Sequence, residues 1–269
     1  MGHDKLRKFA ENEKFACLVQ PFSAELLAEG YANLQDHAMK GKWKEFFHND
    51  NPIVLELGCG KGEYTIDLAL RNPGINYIGV DIKGARLWKG AKYATEHNLP
   101  NVAFLRTRVE FISAFFALGE VSEIWLTFSD PQPRSENSRL SSPVFLERYR
   151  KFLAPGGLIH LKTDSRMLHE YTKAVCEVNK LPVLHCTEDL YNNPGDVSPA
   201  VYEVQTFYEK IFLTQGYKIT YMCFRLECGS ELKHPEFDTD FWRSVEGDRQ
   251  IFGHDTAETR RQKLHTGRK

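Results

Sequence analysis

The six cysteines, Cys17, Cys59, Cys176, Cys186, Cys223 and Cys228, form no CxxC pair. A zinc site therefore lacks its usual signature, no metal is expected, and a reduced cytoplasm is the simplest setting for so many lone thiols. No apolar run approaches the ~18 residues that cross a bilayer, so no membrane partner is expected. The stretch from Met1 to Lys14 is charged and has no apolar signal core, which argues against export. An excess of positive charge is also missing. The formal net charge is −1, so any nucleic-acid surface must be local rather than a field of the whole chain. Repeats and low-complexity tracts are absent. What is present is a 42% apolar, 12% aromatic composition over 269 residues, enough for a large core and incompatible with wholesale disorder.

From residue 52 the chain alternates. Ile53–Leu57 is a short apolar run bounded by a turn and glycines, and reads as a buried strand. Residues 63–71 carry Tyr64, Ile66, Leu68 and Ala69 at helical spacing and stop at Asn72-Pro73-Gly74. Strands are predicted at 77–80, 102–105, 123–128, 158–162, 183–186 and 217–226. Helices are predicted at 83–97, 109–118, 143–153 and 166–180. This pattern predicts an α/β fold, a doubly wound and mostly parallel seven-stranded sheet covered on both faces. Residues 1–51 are expected to form a helical and loop extension, 52–228 the main domain, and 229–269 a C-terminal extension. Ligands of such sheets bind beyond the C-terminal strand ends.

The loop after the first strand reads Glu56-Leu57-Gly58-Cys59-Gly60-Lys61-Gly62, an ExGxGxG pattern. A dinucleotide fold would need glycine at the next position, where Glu63 stands, so the GxGxxG fingerprint fails. Asp81 ends the second strand, nineteen residues past Gly62, where a carboxylate can accept both hydroxyls of a ribose. The competing assignment for Asp81 is a cap for the following helix. Loop and acid together resemble the class I S-adenosylmethionine-dependent methyltransferases, which implies S-adenosylmethionine as cofactor.

Three later segments narrow the resemblance. Strand four runs into Phe128-Ser129-Asp130-Pro131-Gln132-Pro133-Arg134, strand five into Lys162-Thr163-Asp164, and further on stand Thr206-Phe207-Tyr208-Glu209 and Phe212. In this order they resemble the FPDPWPK loop, the KTD strand end and the TxxE-aromatic motif of the bacterial tRNA (guanine-N(7)-)-methyltransferases, over roughly residues 52–226. The resemblance implies methylation of guanine at the position-7 nitrogen in the variable loop of tRNA. It places Glu56, Gly58, Gly60, Asp81 and Asp130 at the cofactor, with Asp130 also catalytic, and Arg134, Asp164, Thr206 and Glu209 at the substrate. It implies a cytoplasmic enzyme with tRNA as partner, a monomer or homodimer. The chain departs from the family at Ser129 for proline, at Gln132 for tryptophan and at Arg134 for lysine. Arg108 stands where the family often has an aspartate beside adenine. The family's long basic stretch is reduced to Arg134 and Arg139.

The position-7 nitrogen carries a lone pair and no proton, so its methylation needs alignment and charge complementarity rather than a general base. Guanine becomes cationic as the methyl arrives, which suits Asp130, and its opposite edge presents N–H donors, which suit Asp164 and Glu209. Local alternatives are a helix cap for Asp164 and a capping box for Thr206 and Glu209. The aromatics Tyr202, Phe207, Tyr208 and Phe212 fit core packing better than a stacking platform, and Trp43 fits a base stack or an anchor equally. Alternative functions are methylation of another RNA or a small molecule, and non-catalytic RNA binding. Phosphate contacts are expected from the chain ends: Lys40, Lys42 and Lys44, and residues 259–269, which hold five basic residues and no acid.

Overall fold

The computed structural model describes residues 3–30, 33–227 and 229–246. Two units are distinguished, Met1–Phe237 and Asp238–Lys269. In the second, the described part contains α10 (Thr239–Glu246).

The first unit opens with α1 (His3–Asn12), β1 (Leu18–Val19), α2 (Ser23–Leu26) and α3 (Trp43–Phe47). Then β2 (Ile53–Leu57), α4 (Glu63–Arg71), β3 (Asn76–Asp81), α5 (Gly84–Glu96) and β4 (Val102–Arg106) alternate. A 3₁₀ turn at Val109–Ala114 leads to β5 (Val121–Thr127), α6 (Pro143–Arg150), β6 (Leu153–Thr163), α7 (Arg166–Val178) and β7 (Val183–Thr187). Two short helices, α8 (Pro199–Glu203) and α9 (Phe207–Thr214), precede β8 (Thr220–Arg225).

The strand order is β1-β4-β3-β2-β5-β6-β8-β7. All pairings are parallel except those of β8 with β6 and β7. Consecutive strands run outward from β2 through β3 to β4, and the chain then returns to place β5 on the other side of β2. The crevice between β2 and β5 is the topological switch point.

Alternate residues of one strand serve opposite faces. Ile53, Leu55 and Leu57 pack with Trp43, Phe115, Phe152 and Tyr171. Val54 packs on the other face with Tyr64, Leu87, Phe104 and Trp125. Both faces being covered explains why the central strands read as continuous apolar runs rather than alternating ones.

Three expectations change. The sheet has eight strands instead of seven, because Leu18 and Val19 pair with Phe104 and Leu105. Two residues are too short to carry a period that sequence reading can detect. The helix predicted at 109–118 is a 3₁₀ turn over Val109–Ala114, with Phe111, Ile112, Ala114, Phe115 and Phe116 buried in the core. The segment Ala154-Pro155-Gly156-Gly157, between the predicted helix at 143–153 and the predicted strand at 158–162, is an irregularity inside β6, opposite Val121–Glu123 of β5, with Gly156 at φ +72°.

Trp43 is entirely buried. Its indole donates to the Phe115 carbonyl at 2.9 Å and lies on Phe116, so it is an anchor rather than a base stack. Arg139 is buried too, with its guanidinium 4.2 Å from the Tyr171 ring centroid, which leaves Arg134 as the one exposed cation of that loop segment among the described residues. Lys40 and Lys44 are paired with Asp36 and Asp50. Cys228 and residues 259–269 lie outside the described residues.

Candidate active site

The strand ends around the switch point bring together the glycine loop after β2, Asp81 at the end of β3, the loop after β5 and the end of β6. The glycine loop turns through Gly58, Gly60 and Gly62, all at positive φ, a region costly for residues with a Cβ. The three glycines serve different ends. A Cβ on Gly62 would sit 2.4 Å from the Phe104 ring, and the same ring fills the space against Gly79 and Gly90. Gly62 is thus a packing residue. A Cβ on Gly58 or Gly60 would meet nothing within 4 Å, so the loop backbone there faces open space, as close approach by a ligand requires.

Asp81 is nearly buried. Its Oδ2 accepts the Gly60 amide at 3.0 Å and its Oδ1 the Lys83 amide at 2.7 Å. The carboxylate therefore spans glycine loop and following turn, and each oxygen keeps lone-pair capacity. It does not cap α5, whose first residue follows Lys83 without a side-chain cap.

Glu56 lies beneath the loop, 4% exposed. Its Oε2 accepts the Thr65 amide at 2.9 Å and the Thr65 hydroxyl, and its Oε1 the Thr127 hydroxyl at 2.5 Å. Glu56 thereby joins β2, α4 and β5. Burial pushes its carboxyl up to about 7, against the lowering effect of these donors.

The loop after β5 is contorted. Phe128 and Gln132 both have left-handed backbones, φ 50° and 47°. Such conformations cost energy for non-glycine residues and concentrate at functional sites. The Phe128 amide donates to the Lys162 carbonyl at 2.8 Å, and the Gln132 amide to Asp130 Oδ1 at 3.0 Å. Asp130 is exposed, fixed by this turn beyond the C-terminal end of the central strand β5. Arg134 is exposed as well, with no ion pair among the described residues.

Asp164 follows β6 and is half-buried. The cap of α7 is Ser165, whose hydroxyl accepts the Leu168 amide, so Asp164 is not the cap.

Thr206 and Glu209 do form the capping box of α9: the Thr206 hydroxyl accepts the Glu209 amide at 3.1 Å, and Glu209 Oε2 accepts the Thr206 amide at 3.2 Å. Glu209 has a second set of partners that sequence reasoning missed. Its Oε1 is 2.7 Å from Lys162 Nζ and accepts the Tyr191 hydroxyl at 2.6 Å. Lys162 also donates to the carbonyls of Val201 and Val204 at 2.7 and 2.9 Å. Its burial lowers the ammonium's pKa, and Glu209 opposes that shift. In this structure the Glu209 carboxylate, expected at the guanine edge, lies inside the protein with Lys162 and Tyr191 as its partners. The signal was available: a lysine among buried strand residues needs a buried acceptor.

Glu63, whose side chain breaks the dinucleotide fingerprint, accepts the Phe207 amide on Oε2 at 3.0 Å and lies 3.5 Å from Lys89 on Oε1. It ties the start of α4 to the start of α9. Phe212 of α9 stacks against Phe128. Phe207 and Tyr208, expected in the core, are exposed.

Apart from the added edge strand β1, a seven-stranded sheet with one antiparallel strand, a glycine loop at its switch point and an acid closing the next strand is the architecture of class I methyltransferases. A solved 16S rRNA methyltransferase, KamB, shares this fold, with a TM-score of 0.53 and 16% identity over 72% of this chain and 96% of that one. Residues 50–222 match the family described as "Putative methyltransferase". A relative from Bacteroides fragilis, named tRNA (guanine-N(7)-)-methyltransferase, is 50% identical over 248 residues, 91% of this chain and 95% of its own. One of the same name from a Geobacillus species is 37% identical over 205 residues, 76% of this chain and 86% of its own. The chain belongs to the tRNA (guanine-N(7)-)-methyltransferase family.

S-adenosylmethionine fits the residues present. Gly58 and Gly60 face open space, Asp81 keeps acceptor capacity for a ribose, and Glu63 puts a carboxylate where a dinucleotide would place its pyrophosphate. Among the described residues no cluster of three His, Cys, Asp or Glu could hold a metal ion, and no helix is long and apolar enough to cross a membrane.

Proposed function

We propose that this protein transfers a methyl group from S-adenosylmethionine to the position-7 nitrogen of guanine in the variable loop of tRNA. The observation that carries this reading is the 50% identity across 91% of the chain to a relative of that name. The geometry agrees: the KTD strand end and the TxxE helix are locked together by Lys162 and Glu209 behind a cofactor loop.

Bound S-adenosylmethionine would supply an electrophilic methyl on a sulfonium. Gly58 and Gly60 allow its close approach, Asp81 accepts from its ribose, and Glu56 holds strand end, α4 and β5 in register from below. Asp130, on its contorted loop, faces the charge that develops on guanine and favours the transition state over the neutral ground state. Asp164 accepts from the N–H edge of the base, and Arg134 meets phosphate. Thr206 stands at the start of α9. Glu209 acts through Lys162 and Tyr191 to position that helix. No residue needs to remove a proton, because the nucleophilic nitrogen carries none. The enzyme works in the cytoplasm as a monomer or homodimer, with residues 52–228 as the methyltransferase domain.

Unmodified tRNA incubated with the protein and cofactor, then digested to nucleosides for mass spectrometry, should yield 7-methylguanosine, mapped to the variable loop. Methylation of another base, or none, would overturn the reading.

A further inference from the structure

The loop after β5 offers one exposed cation, Arg134, yet an RNA substrate needs several phosphate contacts. Positive charge does collect at another edge of the site. Arg86 and Lys89 are three residues apart on α5 and so lie on neighbouring surface of the helix. Arg86 has no ion pair among the described residues, and Lys89 has only the 3.5 Å approach to Glu63, an exposed pairing that holds it weakly. Gly90 of the same helix packs on the Lys61 backbone, since a Cβ there would be 2.9 Å from the Lys61 carbonyl. This brings the glycine loop against α5. Lys61 Nζ in turn lies 4.9 Å from the centroid of the Phe207 ring. Phe207 is 51% exposed, an unfavourable setting for a large apolar ring, and Glu63 fixes its backbone amide. Next to it is Thr206, at the start of the α9 segment that closes on the strand ends.

Flat aromatic surface interleaved with cations is the chemistry of single-stranded nucleic acid, whose bases stack while its phosphates pair with Lys and Arg. We propose that Lys61, Arg86, Lys89 and Phe207 form a nucleotide subsite. There the RNA backbone beside the target guanine meets Arg86, Lys89 and Lys61, and one unstacked neighbouring base lies on Phe207. The subsite rests on the tRNA-methylating reading and extends it. Drawing the target guanine out of its stack leaves its neighbour with an uncovered face, which Phe207 replaces. The Phe207 amide donates to the Glu63 carboxylate and offsets part of its charge, which leaves Lys89 for the phosphates.

The test uses the full chain, unmodified tRNA and three variants: Arg86→Ala with Lys89→Gln, Phe207→Leu, and Phe207→Trp. The double variant should flatten the log–log salt slope of tRNA binding by about 0.7–0.9 for each phosphate it no longer neutralises. It should raise KM for tRNA while leaving kcat and the calorimetric affinity for S-adenosylmethionine unchanged. Phe207→Leu should weaken tRNA binding about 5- to 100-fold, and Phe207→Trp should keep it. A merely structural Phe207 would be disturbed by the larger indole as well as by leucine, and weakened binding in both variants overturns the stacking role. An unchanged slope and KM in the double variant, or a fall in cofactor affinity instead, overturns the subsite. A wild-type protein that makes no 7-methylguanosine overturns the functional reading rather than the subsite's binding of RNA, which the salt series reads separately.

Discussion

Lys162 Nζ lies 2.7 Å from Glu209 Oε1, and neither side chain has any exposed surface. The pair joins the end of β6 to the first turn of α9, and Lys162 directs its other protons to the carbonyls of Val201 and Val204. Removing one member leaves a buried charge uncompensated. Lys162→Met should therefore cost about 3–5 kcal/mol of stability and loosen the α8–α9 segment. Urea unfolding checks the first effect. Guanine methylation should fall much further than cofactor affinity, since the pair touches the substrate segment. Equal stability in the variant would mean that the pair contributes no more than a hydrophobic contact would.

Glu56 makes stability depend on pH in a defined direction. Its carboxyl is pushed up to about 7 in the fold from an ordinary value of 4.5. Between these values the folded state holds more protons than the unfolded one, so stability falls as pH rises. The contribution is fully present below pH 4.5 and lost as pH passes about 7, on the order of 3 kcal/mol. Glu56→Gln should remove this slope. The difference in unfolding free energy between variant and wild type, followed from acid to mildly alkaline pH across that window, should shift in favour of the variant as pH rises. Parallel curves would contradict the assignment.

The glycines of one loop should separate by phenotype. Gly62→Ala combines a positive φ with a clash on Phe104 and should destabilise by about 2–4 kcal/mol. Gly58→Ala carries only the backbone strain, about 1–2 kcal/mol, but should abolish cofactor binding because its Cβ enters the open space. Thermal unfolding and calorimetry with S-adenosylmethionine distinguish the two. A stable Gly62→Ala protein would show that Phe104 can move aside.

Asp81→Ala should weaken cofactor binding by about 1.5–3 kcal/mol, the range for hydrogen bonds to a charged group, with an added loosening of Gly60. Unchanged affinity by calorimetry would remove Asp81 from the cofactor.

If Asp130 faces the developing cation as proposed, Asp130→Asn should lower kcat for tRNA more than it lowers cofactor affinity. Asp164→Ala should abolish methylation, with thermal unfolding measured alongside to separate loss of the site from loss of the fold. Full turnover in Asp130→Asn, or near-normal activity in Asp164→Ala, would exclude that residue from the reaction.

The alternation of elements, the glycine loop and Asp81 were legible in the chain because local sequence controls them. A run such as Ile53–Leu57 is apolar because both faces are covered, and the loop must hold glycine where φ is positive. The capping box of Thr206 and Glu209 was equally local, three residues apart. The two-residue strand at Leu18 was not, since its only cause is the open edge of β4, eighty-six residues away.

Side-chain partners divide the same way. Nothing local distinguishes Gly62 from Gly58; the Phe104 ring does, forty-two residues further on. Arg139 could be counted as a phosphate contact until its burial against Tyr171 removed it. Glu209 could equally face guanine or the interior, and Phe207 could equally be core. Which of these holds depends on Lys162, Tyr191 and Glu63, all distant in sequence, because a buried charge is satisfied by whichever partner the packing of the whole sheet brings within ~3 Å.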